Sequence, residues 1–138
     1  MYKTILVTLD TSPTDRAIID HIKLLAGVMQ SRVVLLHVVT SAPAKYHGPD
    51  ADDKEVEESN GYLSRIQAEF AAAGIPATTE LAFGEPVKEI VNWVKQKGCD
   101  LVAMATHGHQ FVADLVLGTT AIKVQHSISV PVLLLRAK

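Results

Sequence analysis

Hydrophobic residues occur in five short runs along the chain, and segments with helical periodicity or loop composition separate these runs. Four of the runs are almost continuously apolar, which is typical of parallel strands that are covered on both faces. The third run is less apolar and predicts a weaker strand at an edge of the sheet. The five runs cover residues 4–9, 32–39, 77–83, 100–105 and 130–136.

Helical patterns fill the segments between the runs. Ser12 is a favourable N-cap and Pro13 a favourable first helical residue, so the first helix is predicted to start there. Its buried stripe is predicted to consist of Ile18, Ile22, Leu25 and Met29. The other helices are predicted over residues 53–73, 85–97 and 118–130. In the second helix, the side chains predicted to face the core are Val56, Leu63, Ile66 and Phe70.

Strands that alternate with helices predict an α/β fold. The expected architecture is an open, doubly wound parallel sheet of five strands with helices on both faces, which is the Rossmann-like class. With 138 residues the chain can bury one sizeable core, so we expect a single domain over residues 1–138. Residues 41–52 have loop composition and no periodicity, which predicts a surface loop.

Composition and charge narrow the classes of partner and compartment. The net charge is −2, which gives no general attraction to nucleic acid. The single cysteine and the absence of a zinc-binding spacing fit a reducing interior. The chain shows neither the hydrophobic region of a signal peptide nor an apolar run long enough for a membrane span. We therefore expect a cytoplasmic protein that binds no nucleic acid and does not insert into a membrane.

The first chemistry-bearing position lies where the first strand ends. In open α/β sheets ligands bind beyond the carboxyl ends of the strands, near the point where the strand order reverses. Asp10 follows the first strand directly, so its carboxylate could accept hydrogen bonds from ribose hydroxyls or an adenine amine. Alternatively, Asp10 caps the first helix and interacts with its positive end. Position alone does not separate these two interpretations.

A second candidate site lies after the fourth strand. About twelve residues connect Ala105 to the last helix, whereas ordinary strand-to-helix loops have roughly 2 to 6 residues. Gly108 would let backbone N–H groups approach an anion, and Gly118, Thr119 and Thr120 would offer a helix N-terminus with free donors and two hydroxyls. The alternative is that Gly108 only makes a turn and Thr119 only caps the helix.

Several other chemistries find little support. The sequence contains neither the G-x-x-x-x-G-K-[ST] phosphate loop nor a G-x-G-x-x-G motif after the first strand. His107 and His109 have no third ligand nearby, so His109 facing a phosphate is favoured over a metal site. His37 is interpreted as a hydrogen-bonded histidine of the core. No general base or pair of metal ligands accompanies the phosphate-binding positions, so any enzymatic activity is expected to be at most a slow ATPase.

Three segments of the chain resemble the universal stress protein family. "ILVTLDTSPTDRAI" is similar to the opening strand, aspartate and serine of the family, "VVLLHVV" to its second strand, and "MATHGHQFVADLVLGTTAIKVQHSISVPVLLLR" to its C-terminal signature. ATP-binding members carry G-x2-G-x9-G-[ST], and this chain has Ala105-x2-Gly108-x9-Gly118-Thr119. An alanine at the first position is mild in strand geometry but costs on the order of 1 kcal/mol or more if the backbone needs a positive φ.

The resemblance implies a set of nucleotide contacts and a cofactor. Asp10 would contact ribose or adenine, Leu9 and Val38 would bracket the base, and Thr8 stands where many members have proline. The residues implied to contact the phosphates are Gly108, His109, Gly118, Thr119 and Thr120, next to Ala105. The implied cofactor is ATP, with Mg²⁺ accompanying its phosphates.

The resemblance also implies the strand order 3-2-1-4-5 and a homodimer. Members of the family commonly pair their fifth strands antiparallel, and we expect the same here because Leu133 and Leu135 would otherwise leave an apolar face poorly covered. The implied function is a nucleotide-binding sensor or regulator in the stress response that acts on an unidentified protein. The alternative is a dimeric interaction module of the same fold that binds no nucleotide, which Ala105 and the absence of lysine and arginine from the loop favour.

Overall fold

Strands and helices alternate along residues 1–40, 53–106 and 119–137, which are the residues that the computed structural model describes. The strands are β1 (Thr4–Thr8), β2 (Arg32–Val39), β3 (Ala77–Phe83), β4 (Leu101–Thr106) and β5 (Val132–Arg136). The helices of this part of the chain are α1 (Asp15–Met29), α2 (Asp53–Ala72), α3 (Pro86–Lys97) and α4 (Thr119–Ser127). All five predicted strands are present, with ends that differ by at most two residues.

The five strands form one parallel sheet in the order β3-β2-β1-β4-β5. This order confirms the predicted fold class and the topology that the resemblance implied. Leu6 of β1 lies beside Val34 of β2 on one side and Val102 of β4 on the other. The direction of strand addition therefore reverses between β1 and β4, which is where this class of fold opens a crevice. The prediction that the third strand lies at an edge is also confirmed.

The core consists of two apolar layers, one on each face of the sheet. Successive side chains of a strand point to opposite faces, so Ile5 and Val7 pack with α1 and α2 while Leu6 packs with α3 and α4. The first layer includes Ile18, Ile22, Leu35, Leu63, Ile66 and Phe70, and the second includes Val34, Ile90, Val94, Val102 and Val124. The prediction of helices on both faces is confirmed.

The start of the first helix differs from the prediction. Its N-cap is Thr14, whose side chain makes no capping hydrogen bond, and Ser12 and Pro13 lie in the preceding turn. The hydroxyl of Ser12 is instead 2.7 Å from that of Thr14. The reason is the next residue, Asp15, whose carboxylate points back at the backbone of the turn and holds it outside the helix.

An ion cluster joins α1 to α2 on the surface. Arg16 donates two hydrogen bonds to the carboxylate of Glu69, at 2.8 and 2.9 Å, and Lys23 donates a third at 3.2 Å. The hydrogen bond from Arg16 is the main reason why the pKa of Glu69 falls from 4.5 to about 2. The ionised carboxylate is therefore the form that the folded protein favours.

This cluster predicts a pH dependence of stability. A carboxylate with a lowered pKa in the folded state adds stability above its unfolded pKa and loses it as the pH falls. We expect the melting temperature of the parental protein to exceed that of Glu69→Gln at neutral pH, and the difference to shrink between pH 4.5 and about 2. Thermal unfolding across this range measures it. The control variant Glu57→Gln, at an exposed position of the same helix, should retain the parental pH dependence.

Candidate functional site

A cavity of about 430 Å³ opens at the carboxyl ends of β1, β2 and β4, where the strand order reverses. Ligand-binding cavities commonly measure about 300–1,000 Å³, so this one can hold a small molecule. Its lining comes from the three strands, from the segments that follow them and from the helices above. The lining residues are Thr8, Leu9, Asp10, Asp15, Leu36, His37, Val38, Thr40, Pro86, Ile90, Met104, Ala105, Thr106, Thr120 and Ala121.

The walls of the cavity combine apolar and polar side chains. Leu36, Ile90 and Met104 are buried, and Val38 is half-buried beside them. The polar part includes Asp10, Thr8, Thr40, Thr106 and Thr120, together with Asp15 and His37. An apolar slot with a few hydroxyls and one exposed carboxylate offers surface to a flat ring and hydrogen-bond partners to a sugar or phosphate.

The cavity includes six of the ten residues that the sequence analysis assigned to a nucleotide site. These are Thr8, Leu9, Asp10, Val38, Ala105 and Thr120. Thr119 is the first residue of α4. Gly108, His109 and Gly118 lie outside the described residues, so the phosphate-binding part of the prediction stays a prediction. His107 lies outside them as well.

Ala105 occupies ordinary strand geometry. It lies within β4 and pairs with Leu135 of β5. Among the described non-glycine residues, a positive φ occurs at Thr11 and Gln30. The alanine in the first position of the family motif therefore causes no backbone strain.

The turn between β1 and α1 is organised around the buried carboxylate of Asp15. This residue is 1% exposed, and its two oxygens accept the N–H group of Asp10 at 2.9 and 3.1 Å. The N–H group of Thr11 donates to the same carboxylate at 2.9 Å. Thr11 has a φ of 62°, a conformation that β-branched residues rarely adopt. Asp10 does not occupy the N-cap of α1, so its interpretation as the helix cap is wrong.

A tyrosine from α2 completes this arrangement. The hydroxyl of Tyr62 donates a hydrogen bond of 2.6 Å to Asp15. Burial, and then this bond to a carboxylate, raise the pKa of Tyr62 far above its usual range, so the hydroxyl remains a donor. Neither residue was assigned a role from the sequence. The one local signal was an acidic residue at the start of a helix that follows a strand, and it did not reveal a partner 47 residues away.

His37 supports the floor of the cavity from β2. Its Nδ1 lies 2.8 Å from the carbonyl oxygen of Leu9. Because a carbonyl can only accept, Nδ1 carries the proton, and in the neutral ring Nε2 is left as an acceptor. The prediction of a hydrogen-bonded histidine is confirmed, but His37 is only half-buried and also lines the cavity.

Two further properties concern only residues 1–40, 53–106 and 119–137. Over these residues no helix combines the length and the apolar character needed to cross a membrane. The same residues contain no group of three or more histidine, cysteine, aspartate or glutamate side chains placed to hold a metal ion.

Comparison with known proteins relates this chain to a family. The model of the Universal stress protein family matches residues 1–136. The universal stress protein YxiE of Bacillus subtilis is 30% identical over 148 residues, which cover 99% of this chain and 100% of the relative. The structure of MJ0577, a universal stress protein of Methanocaldococcus jannaschii, is similar with a TM-score of 0.86 at 28% identity, over 100% of this chain and 98% of that one.

Some of the similar structures contain a ligand. A universal stress protein from Archaeoglobus fulgidus was solved in complex with dAMP, and it is similar with a TM-score of 0.73 over 96% of this chain and 97% of that one. Its sequence is 18% identical, so the similarity shows a shared fold.

Proposed function

This chain belongs to the universal stress protein family, and we propose that it binds an adenine nucleotide, first of all ATP, in the cavity at the carboxyl ends of β1, β2 and β4. The observation that carries the proposal is the shared cavity lined by Asp10, Val38 and Thr120, which come from separate elements of the fold. The dAMP bound to a protein of the same fold supports the choice of an adenine nucleotide. With the nucleotide bound, this protein would act in the cytoplasm and regulate another protein in the stress response.

The base and sugar would occupy the part of the cavity next to β1 and β2. Val38 and Leu9 would bracket the adenine, with Leu9 at the floor because its side chain is buried. The Asp10 carboxylate is exposed and would accept hydrogen bonds from the ribose hydroxyls or the adenine amine. A hydrogen bond to a charged group contributes about 1.5–3 kcal/mol, which makes Asp10 the strongest single polar contact of this part.

The phosphates would lie toward the start of α4. A helix N-terminus offers free N–H groups and a partial positive charge, and Thr119 and Thr120 begin this helix. Thr120 lines the cavity and could donate its hydroxyl. Gly108, His109 and Gly118 would complete the phosphate contacts, and Mg²⁺ would neutralise part of the phosphate charge.

Calorimetric titration tests the proposal directly. Titration of the protein with ATP and Mg²⁺ up to millimolar concentration should give saturable heat, and ATP should raise the melting temperature by mass action. Titration with GTP under the same conditions compares guanine with adenine as the bound base. Neither heat nor a thermal shift with ATP, ADP or AMP would contradict nucleotide binding.

The alternative function, an interaction module without nucleotide, depends on Ala105. Because this residue has strand geometry, we expect Ala105→Gly to bind ATP within roughly threefold of the parental affinity, a change below about 1 kcal/mol. The same titration on both proteins measures it. Binding that arises only in Ala105→Gly would support the module instead and show that the methyl group excludes the nucleotide.

We also propose that two copies pair through β5, which lies at an edge of the sheet. Leu133 and Leu135 are half-buried and pack against the first core layer. The exposed leucine of the strand is Leu134, at 39%. An unpaired edge strand presents backbone donors and acceptors to a second copy. Light scattering after size exclusion should give twice the mass of one chain, and a monomer at all concentrations would contradict the dimer.

A further inference from the structure

The turn that carries Asp10 is connected to α2 by a chain of hydrogen bonds. Tyr62 donates to Asp15 at 2.6 Å, and Asp15 accepts the N–H groups of both Asp10 and Thr11. Apart from Asp10, which is exposed at the rim of the cavity, these residues are buried or half-buried. The backbone of the residue that would meet the ligand is therefore connected to α2 through Asp15 and Tyr62, which water reaches poorly.

The turn is expected to relax when the hydrogen bonds of Asp15 and Tyr62 are removed, because its backbone is strained. Thr11 has a φ of 62°, and a non-glycine residue persists in such a conformation only when its surroundings hold it there. The main support is the Asp15 carboxylate, which accepts two consecutive N–H groups. Asp15 Oδ2 also accepts the Tyr62 hydroxyl, which fixes the direction of the carboxylate from a second element.

The ring of Tyr62 is itself fixed in place. The guanidinium of Arg65 lies 5.8 Å from the ring centre, one helical turn further along α2. The ring is also half-buried and packs against the first core layer. Its hydroxyl is thus held at one position relative to the turn.

We infer that Tyr62 and Asp15 are positioning residues for the nucleotide. Through the buried carboxylate, α2 holds the backbone of Asp10 and Thr11 in the conformation that presents the Asp10 side chain to the cavity. This inference rests on the proposed nucleotide binding and adds a role for α2, which contributes no residue to the cavity lining. Neither residue needs to touch the ligand.

A double-mutant cycle separates positioning from a general loss of stability. Tyr62→Phe removes only the hydroxyl, and we expect it to weaken ATP binding about fivefold to tenfold, the usual effect of one hydrogen bond. In an Asp10→Ala background the same change should weaken binding less than twofold, because the group being positioned is gone. Equal losses in both backgrounds, or no loss in the parental background, would overturn the inference.

Two controls accompany the cycle. Ile66→Val removes one buried methylene-sized group from the same helix and destabilises the core without touching the turn, so it should leave the ATP affinity unchanged. Tyr2→Phe removes a tyrosine hydroxyl at the opposite end of the sheet. A loss of affinity in Ile66→Val equal to that in Tyr62→Phe would show that stability alone explains the effect, and the inference would fail.

Hydrogen exchange of the free protein distinguishes this inference from the proposed function. In Tyr62→Phe the amides of Asp10 and Thr11 should exchange at least threefold faster relative to amides of the core strands, with no nucleotide present. Unchanged exchange with intact ATP binding overturns the positioning role alone. If exchange is faster in Tyr62→Phe but the parental protein binds no adenine nucleotide, the hydrogen-bond chain is only a structural support, and both the proposed function and the positioning role are overturned.

Discussion

Truncation of Phe70 to alanine is expected to lower the free energy of unfolding by about 3–5 kcal/mol, the largest stability effect of any single change considered for this protein. The side chain is 0% exposed and lies in the layer of core between the sheet and the helices α1 and α2. Its removal leaves a cavity that rigid strands on one side and a twenty-residue helix on the other cannot close. Domains of this size are stable by about 5–15 kcal/mol, so much of the total would be lost.

Urea denaturation measures this effect through the midpoint and the slope of the transition. The matched control is Phe83→Ala, because Phe83 is half-buried at the end of the edge strand β3 and packs in a small separate cluster with Val39. Its loss should be clearly smaller than that of Phe70→Ala. A decrease below about 1 kcal/mol for Phe70→Ala would show that the layer repacks, and it would contradict the assignment of Phe70 to a rigid core.

Replacement of Asp10 by alanine is expected to weaken ATP binding by roughly 10-fold to 100-fold. The carboxylate is exposed at the rim of the cavity, and hydrogen bonds from a ribose or an amine to a charged oxygen are among the stronger polar contacts. The substitution keeps the backbone N–H group of Asp10, so the hydrogen bond to Asp15 that holds the turn is retained. Calorimetric titration of both proteins gives the affinity ratio.

The choice of nucleotide identifies the group that Asp10 contacts. If the ribose is the partner, 2′-deoxy-ATP should bind more weakly than ATP to the parental protein but equally well to Asp10→Ala. If the adenine amine is the partner, inosine triphosphate should show this pattern instead. The control variant Asp20→Asn removes an exposed aspartate of α1 that pairs with Arg16, and it should bind ATP with parental affinity. An Asp10→Ala protein that binds ATP as tightly as the parent would exclude the proposed contact.

The two predictions test separate parts of the molecule. Phe70 extends from α2 into the first core layer, whereas Asp10 lies in the turn after the carboxyl end of β1. Asp10→Ala should therefore alter the site in a stable protein, whereas Phe70→Ala should destabilise the protein and leave the site intact. Together they separate what holds the sheet and helices together from what the cavity can bind.

The sequence patterns predicted the elements well because those patterns are local. An apolar run of five to eight residues forms a strand wherever both faces become buried, and β2 and β3 have their predicted bounds. The stripe with Ile18 and Ile22 was likewise visible as a helical period, and both side chains are buried. The start of α1 was less visible, because Ser12 and Pro13 are good helix starters by composition while Asp15 holds the turn away from the helix.

The candidate site was predictable only in part. Asp10 and Ala105 were found because the carboxyl ends of parallel strands meet at one edge, and both line the cavity. The contribution of His37 to the cavity was missed because nothing in its strand shows that its partner is the carbonyl of Leu9, 28 residues earlier. Asp15 and Tyr62 were missed for the same reason.

By itself the sequence determined the succession of strands and helices, which side chains are apolar enough to form the core, and the family to which the chain is similar. These properties depend on residues within one or two turns of each other and on the burial that every such pattern needs. Only the tertiary structure decided that Glu69 pairs with Arg16 and that Tyr62 reaches Asp15, across 53 and 47 residues. Contacts of this kind form when helices pack side by side on the sheet, and no local sequence pattern specifies that packing.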